Sequence, residues 1–273
     1  MDEDWDNLLI LDACRYDQFT RLNTICGNLE ARTSLGSATP EFLEKNFHDS
    51  IHHDTVYVTA NPMYRTLNLG DVFHSVVDVW NTGWDEQQKT VPPEEVTEAA
   101  LSAHEKYPNK RLIVHFMQPH YPFIGNSSES LGDHAGFEHT YRAVTDGEAS
   151  RDNPTVWELI ESGAIDERSA LDAYDENLTV VLPHVERLVN EFPEKTVVTS
   201  DHGNLVGERI LPFGSARYGH PRGTYTEGLR KVPWLIIDGK TRKEVNAETP
   251  RRVRNEDTDV VSERLANLGY TET

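Results

Sequence analysis

Short apolar runs that stop abruptly at polar residues recur along this chain. Asn7 to Leu11 ends at Asp12, and Thr-Val-Tyr-Val-Thr at 55–59 ends in Ala60-Asn61-Pro62. Ser75 to Trp80, Arg111 to Phe116, Thr196 to Thr199 and Lys231 to Ile237 have the same character. Runs of this length, rich in β-branched residues, predict strands. Pro233 suggests that the last of them lies at a sheet edge or at a strand start. Between the runs the apolar spacing turns helical at 17–29, from Pro40, at 92–107, at 155–163, at 166–192 and at 258–268. Pro183 is expected to kink or split the longest of these. Strands alternating with helices predict an α/β protein. Residues 124–154 are rich in Gly, Ser, Asp and His without periodicity, and read as an insertion or lid holding His134 and His139 in solvent. No repeat or linker interrupts 1–273, so one domain is expected.

Charge narrows the partners. The 273 residues carry 46 acidic against 26 basic side chains, a net charge of −20, with 37% hydrophobic residues. Such a balance argues against broad electrostatic binding to nucleic acid or to anionic lipid. An anionic substrate stays open, because a bound cation reverses the local potential. Arginine outnumbers lysine, and the acidic residues are spread along the whole chain. This composition resembles that of haloarchaeal proteins from a high-salt cytoplasm, where repulsion is screened. An ordinary acidic mesophilic protein is the alternative. Two cysteines, Cys14 and Cys26, make no disulfide framework and fit a reducing compartment. No run approaches the roughly 20 apolar residues of a membrane span, and acidic residues follow Met1 where a signal peptide would be basic. The expectation is a soluble, cytoplasmic protein.

The candidate chemistry sits where apolar runs end. Thr196-Val197-Val198-Thr199 runs into Ser200-Asp201-His202-Gly203. In open α/β sheets the working residues lie beyond the carboxyl ends of strands. Asp201 offers an oxygen ligand and His202 a nitrogen ligand for a divalent cation, and Gly203 permits a tight turn. Asp12 at the end of the first run is either a turn or capping aspartate or a further ligand. Thr39 precedes Pro40 and reads as the N-cap of a helix. A hydroxyl there also lies in the positive field of the helix terminus, so a metal-bound Thr39 is a credible nucleophile. Ser37 is the runner-up. In Met117-Gln118-Pro119-His120-Tyr121-Pro122-Phe123 two prolines stiffen a loop that displays His120; a lone loop histidine is otherwise simply solvated. Trp84, in the loop 81–91, is a candidate rim residue.

The ordered set resembles the alkaline phosphatase/sulfatase superfamily: a strand ending in Asp12, a hydroxyl at a helix start, Pro119-His120-Tyr121-Pro122-Phe123, Thr199-Ser200-Asp201-His202-Gly203, then Gly219-His220-Pro221 and the Val232-Pro233-Trp234 strand. The resemblance implies a three-layer α/β/α sandwich around a mostly parallel sheet. It makes Asp12, Thr39, Asp201 and His202 ligands of one divalent ion (Mn, Mg, Ca or Zn) and Thr39 the nucleophile. His120 and His220 would meet the transferred or leaving group. Ala13 stands where sulfatases carry a second aspartate, the formylglycine signature is absent, and there is no Asp-x-x-x-His pair between 166 and 184 for a second zinc. One ion and a threonine are most similar to the phosphoglycerol transferases. Arg15 either neutralises the anion near Ala13 or makes a surface salt bridge. The implied activity is hydrolysis or transfer of small phosphate or sulfate esters, glycan- or lipid-linked forms among them, through a covalent threonine ester. A non-catalytic relative that binds an anionic ligand or partner is the alternative.

Overall fold

The computed structural model describes residues 1, 3–131, 155–210, 214–250 and Arg264. In chain order the elements are β1 (Asn7–Leu11), α1 (Tyr16–Leu22), β2 (Asn28–Thr33), α2 (Thr39–Phe47), β3 (His52–Thr59), α3 (Met63–Thr66), β4 (Phe73–Asp78), α4 (Val79–Thr82) and α5 (Pro93–Lys106). There follow β5 (Arg111–Phe116), α6 (Val156–Glu161), α7 (Glu167–Glu191), β6 (Thr196–Thr199), β7 (Leu205–Glu208), β8 (Arg217–Gly219), α8 (Glu227–Arg230) and β9 (Lys231–Ile237).

Seven strands form one sheet in the order β2-β9-β6-β1-β5-β3-β4. β1 pairs in parallel with both β5 and β6, and β3 pairs in parallel with β4 and β5. β9 alone runs against its neighbours, β2 and β6. Every residue of β1 is buried, and successive strand side chains point to opposite faces, so both faces of the sheet are covered. Leu8, Leu9, Ile10 and Leu11 are each at most 1% exposed, and each such side chain contributes about 1.5–3 kcal/mol by leaving water. On the helical side α7 buries Ala170, Ala173, Tyr174, Asn177, Leu178, Val181, Leu182, Val185 and Leu188, a stripe at three- and four-residue spacing. It begins on Asp166, whose carboxylate accepts the Ser169 N–H at 2.9 Å. A smaller apolar cluster of Tyr121, Phe123, Leu131, Trp157 and Tyr174 packs beside the main core and supports the loop after β5. Among the described residues no helix is long and apolar enough to cross a membrane.

Several expectations change. The helix expected at 17–29 ends at Leu22, and 28–33 is the edge strand β2 instead. Its polar alternation Asn-Leu-Glu-Ala-Arg-Thr carries little β signal, and pairing with β9 decides it. Pro233 lies inside the sheet, because β9 has β2 on one side and β6 on the other. Pro183 neither ends nor splits α7, which stays helical from Glu167 to Glu191; the continuous buried stripe outweighs one missing N–H bond. The irregular stretch after Gly203 contains the β7–β8 hairpin. Trp84 is partly buried against the main core, with the Arg264 guanidinium 4.3 Å from its ring centre. Most of the expected lid (132–154), with His134 and His139, and the expected last helix at 258–268 apart from Arg264 lie outside the described residues.

Candidate active site

The register brings the polar strand ends together. Ile10 on β1 pairs with Thr199 on β6 and with His115 on β5, and His115 pairs in turn with Thr59 on β3. Asp12, the Asp201-His202 pair, the loop carrying His120, and Asn61 therefore emerge side by side at one edge of the sheet. Asp12, Thr39, Asp201 and His202 are each 0% exposed. The ligand atoms of Asp12, Asp201 and His202 all lie within 4.8 Å of one another. His202 Nε2 is 3.4 Å from Asp201 Oδ2 and 3.6 Å from Asp12 Oδ1.

Thr39 closes the cluster from α2. Its Oγ1 is 2.8 Å from Asp201 Oδ2, 3.2 Å from His202 Nε2, and 3.4 Å from Asp12 Oδ2. The N-cap of α2 is Ala38, without a side-chain cap bond, and Thr39 is the first helical residue. The expected capping role is thus corrected: the Thr39 hydroxyl faces the carboxylates. Ser37, the runner-up, is engaged elsewhere. Both its N–H and its hydroxyl donate to Glu41 Oε2, at 2.8 and 2.9 Å.

Backbone contacts aim the ligands. The Ala13 N–H donates to Asp201 Oδ1 at 3.1 Å, and the His202 N–H donates to the same oxygen at 2.8 Å. Ala13 has φ 59, the left-handed region that costs a non-glycine residue about 1 kcal/mol or more. Ala13 serves the site through its main chain. His202 Nδ1 lies 2.7 Å from the Gly203 carbonyl. A carbonyl only accepts, so Nδ1 carries the proton and Nε2 turns its lone pair to the cluster. Gly203 is needed for close approach more than for a turn: a Cβ there would fall 2.1 Å from the Gly228 carbonyl oxygen.

These residues fit a divalent cation. Two fully buried carboxylates beside one another are costly without a positive partner, and the basic groups that approach them are imidazoles, His115, His202 and His120. Burial works against the charge of Asp12, yet His120, His115 and His202 outweigh it and hold its carboxyl well below the usual range. Oxygen and nitrogen donors in this mixture suit a divalent ion.

His120 is 4% exposed and belongs to the site, not to solvent. Its N–H donates to the Asp12 carbonyl at 3.1 Å, and its Nε2 stands 3.4 Å from His220 Nε2. The His220 ring also lies 4.7 Å from that of His202, centre to centre. Burial lowers the pKa of His120, with Asp12 acting against that shift. Burial, then the neighbouring His202 and His120, push His220 well below the usual value. Two imidazoles thus sit side by side at the mouth of the carboxylate cluster.

Arg15 takes the salt-bridge alternative. Its Nε and one terminal nitrogen donate to Asp17 at 2.8 and 2.7 Å; the other terminal nitrogen donates to the Asn204 carbonyl at 2.6 Å and to Glu208. Burial opposes its charge, and the two carboxylates nonetheless raise its pKa further. It ties α1 to the chain after Gly203, so the anion-neutralising role is set aside.

Three contributors escape a sequence reading. Asn61 donates to Asp12 Oδ2 at 3.0 Å. Asn177 of α7, 0% exposed, donates to the carbonyls of Pro119 and His120 at 3.1 and 3.0 Å and so holds the histidine loop. His115 sits within the apolar run of β5, and a histidine in such a run was the available signal.

No family model matches the chain, and no curated protein matches it in sequence. Solved structures do. The soluble domain of lipooligosaccharide phosphoethanolamine transferase A from Neisseria meningitidis matches with a TM-score of 0.51 at 12% identity, over 84% of this chain and 75% of that one. The C-terminal periplasmic domain of EcEptC from Escherichia coli matches with a TM-score of 0.50 at 13% identity, over 87% and 74%. BT1596, a 2-O GAG sulfatase, matches with a TM-score of 0.51 at 10% identity, over 99% and 72%. The chain has the α/β fold, with a mostly parallel central sheet, of alkaline-phosphatase-like sulfatase and transferase domains.

Proposed function

We propose that this protein is a metal-dependent enzyme that cleaves or transfers small phosphate or sulfate esters through a covalent ester on Thr39. The observation that carries this reading is the Thr39 hydroxyl, fully buried at a helix start and in contact distance of two carboxylates and an imidazole. A bound divalent ion would lower the pKa of that hydroxyl and neutralise substrate charge. Asp12, Asp201, His202 and Thr39 itself would hold it. Asp201 Oδ2 accepts the hydroxyl hydrogen of Thr39 at 2.8 Å and fixes the orientation of that hydroxyl.

In the first half-reaction the Thr39 oxygen bonds to phosphorus or sulfur, its proton passes to Asp201 Oδ2, and the bond to the alcohol oxygen breaks. The departing oxygen takes a proton at Nε2 of His120 or His220, which face each other across 3.4 Å. In the second half-reaction water or an acceptor alcohol attacks the threonine ester, and Thr39 is regenerated. The folds it shares belong to transferases and to a sulfatase, which supports both outcomes. The test is turnover of p-nitrophenyl phosphate and p-nitrophenyl sulfate by the metal-loaded chain, with mass spectrometry of a rapidly quenched reaction. A phosphoryl or sulfuryl adduct on the peptide holding Thr39 is expected. Metal binding without turnover of any ester would leave a protein that only binds anions.

A further inference from the structure

Each carboxylate of the cluster has one oxygen held by donors of the surrounding protein and one turned towards the other ligand atoms. Asp201 Oδ1 accepts the Ala13 and His202 N–H groups, whereas Oδ2 meets Thr39 Oγ1 at 2.8 Å and His202 Nε2 at 3.4 Å. Asp12 shows the same division. Its Oδ2 accepts a hydrogen bond from Asn61 Nδ2 at 3.0 Å, and its Oδ1 is the oxygen that approaches His202 Nε2, at 3.6 Å. Thr39 Oγ1 lies 3.5 and 3.4 Å from the two Asp12 oxygens and does not choose between them.

Asn61 does choose. It is 0% exposed and follows the end of β3. Its Oδ1 accepts the Met63 N–H at 2.9 Å. A backbone N–H only donates, so the amide oxygen faces Met63 and the amide NH2 faces Asp12. The Asn61 main chain is fixed as well: its N–H donates to Thr59 Oγ1 and its carbonyl accepts the Thr59 hydroxyl, each at 2.9 Å. The terminal torsion of an aspartate is soft by itself, and a carboxylate ligates a cation through one oxygen or through both. Outer hydrogen bonds of this kind fix how a carboxylate meets its ion.

We propose that Asn61 is a positioning residue that holds Asp12 Oδ2 away from the ion, so that Asp12 ligates through Oδ1 alone. The proposal rests on the reading of Asp12, Asp201 and His202 as the metal centre. Asp201 Oδ1 is likewise held, by two backbone N–H groups, so the centre takes one oxygen from each aspartate. With His202 Nε2 and Thr39 Oγ1 these make a set of four single-atom donors, which matches a four-coordinate ion. If both aspartates ligated through two oxygens, the donors would number six and would crowd out a substrate oxygen. Asn61 thus keeps a coordination place open for the ester.

The test loads the full chain with cobalt(II), whose visible absorption is intense when four-coordinate and weak at higher coordination, and compares wild type with Asn61→Ala. The wild type is expected to show the intense spectrum. The variant should lose intensity as Asp12 turns both oxygens to the ion, and equilibrium dialysis should show zinc affinity lower by about ten- to a hundredfold. A wild-type spectrum in the folded variant overturns the proposal, even where affinity falls, because a merely structural role leaves coordination unchanged. Asn61→Ser keeps an acceptor for the Met63 N–H but is too short to reach Asp12, and it stands in if Asn61→Ala fails to fold. A crystal structure of zinc-loaded wild type decides without any variant. Asp12 Oδ1 at about 2.0–2.2 Å with Oδ2 beyond about 3 Å is expected, and both oxygens on the ion overturn the proposal while leaving the centre intact. A wild-type chain that takes up no divalent ion overturns the centre itself.

Discussion

Thr39 Oγ1 and Asp201 Oδ2 are 2.8 Å apart although 162 residues separate them in the chain. The contact joins the start of α2 to the carboxyl end of β6 and puts a hydroxyl into a buried acidic cluster. Because Ala38 occupies the N-cap, chemistry and helix capping can be separated by substitution. Thr39→Val keeps the shape and removes the oxygen. It is expected to fold like the wild type and to lose turnover by at least about a thousandfold, the scale of a lost nucleophile. Retained turnover with a melting point equal to wild type would remove covalent catalysis by Thr39.

Ion binding is expected to raise stability. An ion at a hundred times its dissociation constant adds about 2.7 kcal/mol to a fold that alone holds the site. In Asp201→Asn one ligand charge is gone, so the zinc-induced rise in melting temperature should shrink or vanish. Calorimetry with and without a chelator reads this directly, and an equal rise in both proteins would place the ion elsewhere.

The loop that displays His120 hangs on Asn177. Asn177→Leu leaves the carbonyls of Pro119 and His120 without their side-chain donor, 3.1 and 3.0 Å away in the wild type. Each unsatisfied buried group costs about 1–3 kcal/mol. We expect lower stability in urea unfolding, and a fall in kcat larger than any change in metal affinity. A variant as stable and active as wild type would show that the loop keeps its place without this residue.

Glu41 makes stability depend on acid. Burial alone would raise its pKa, but Lys45, the Tyr225 hydroxyl and the N–H and hydroxyl of Ser37 bring it from 4.5 to about 2. Its folded value is the lower one, so the unfolded chain binds the proton more readily. The contribution is complete above about pH 4.5 and disappears as pH falls towards 2. The stability gap between wild type and Glu41→Gln should therefore be widest near neutral pH and narrow at pH 3. A gap that widens on acidification would reverse the sign.

A net charge of −20 should make the fold depend on salt, as a protein adapted to a high-salt cytoplasm would. The thermal midpoint is expected to climb from dilute buffer to molar potassium chloride. A flat or falling midpoint would refute the halophilic reading.

The strands at 7–11, 111–116 and 231–237 were legible at their true boundaries, because dense apolar runs between polar residues have one economical fate. The edge strand β2 was not, since an exposed polar alternation takes its conformation from its partner β9. Asp12, Thr39, Asp201, His202 and His120 could be named from strand ends, a helix start and a proline-framed loop. Arg15 could not be assigned, because a guanidinium serves whichever carboxylates the fold brings near, here Asp17 and Glu208.

Local sequence thus determined which segments are buried strands and which side chains stand at their ends, since periodicity and turn chemistry act over a few residues. Tertiary structure decided what those side chains face. Sheet order laid β6, β1, β5 and β3 next to one another, which aimed His115 at two carboxylates and set Asn61 on Asp12, and the packing of the β7–β8 hairpin brought His220 to His120. Such contacts span tens to hundreds of residues and depend on strand register, for which no short-range pattern in the chain provides a signal.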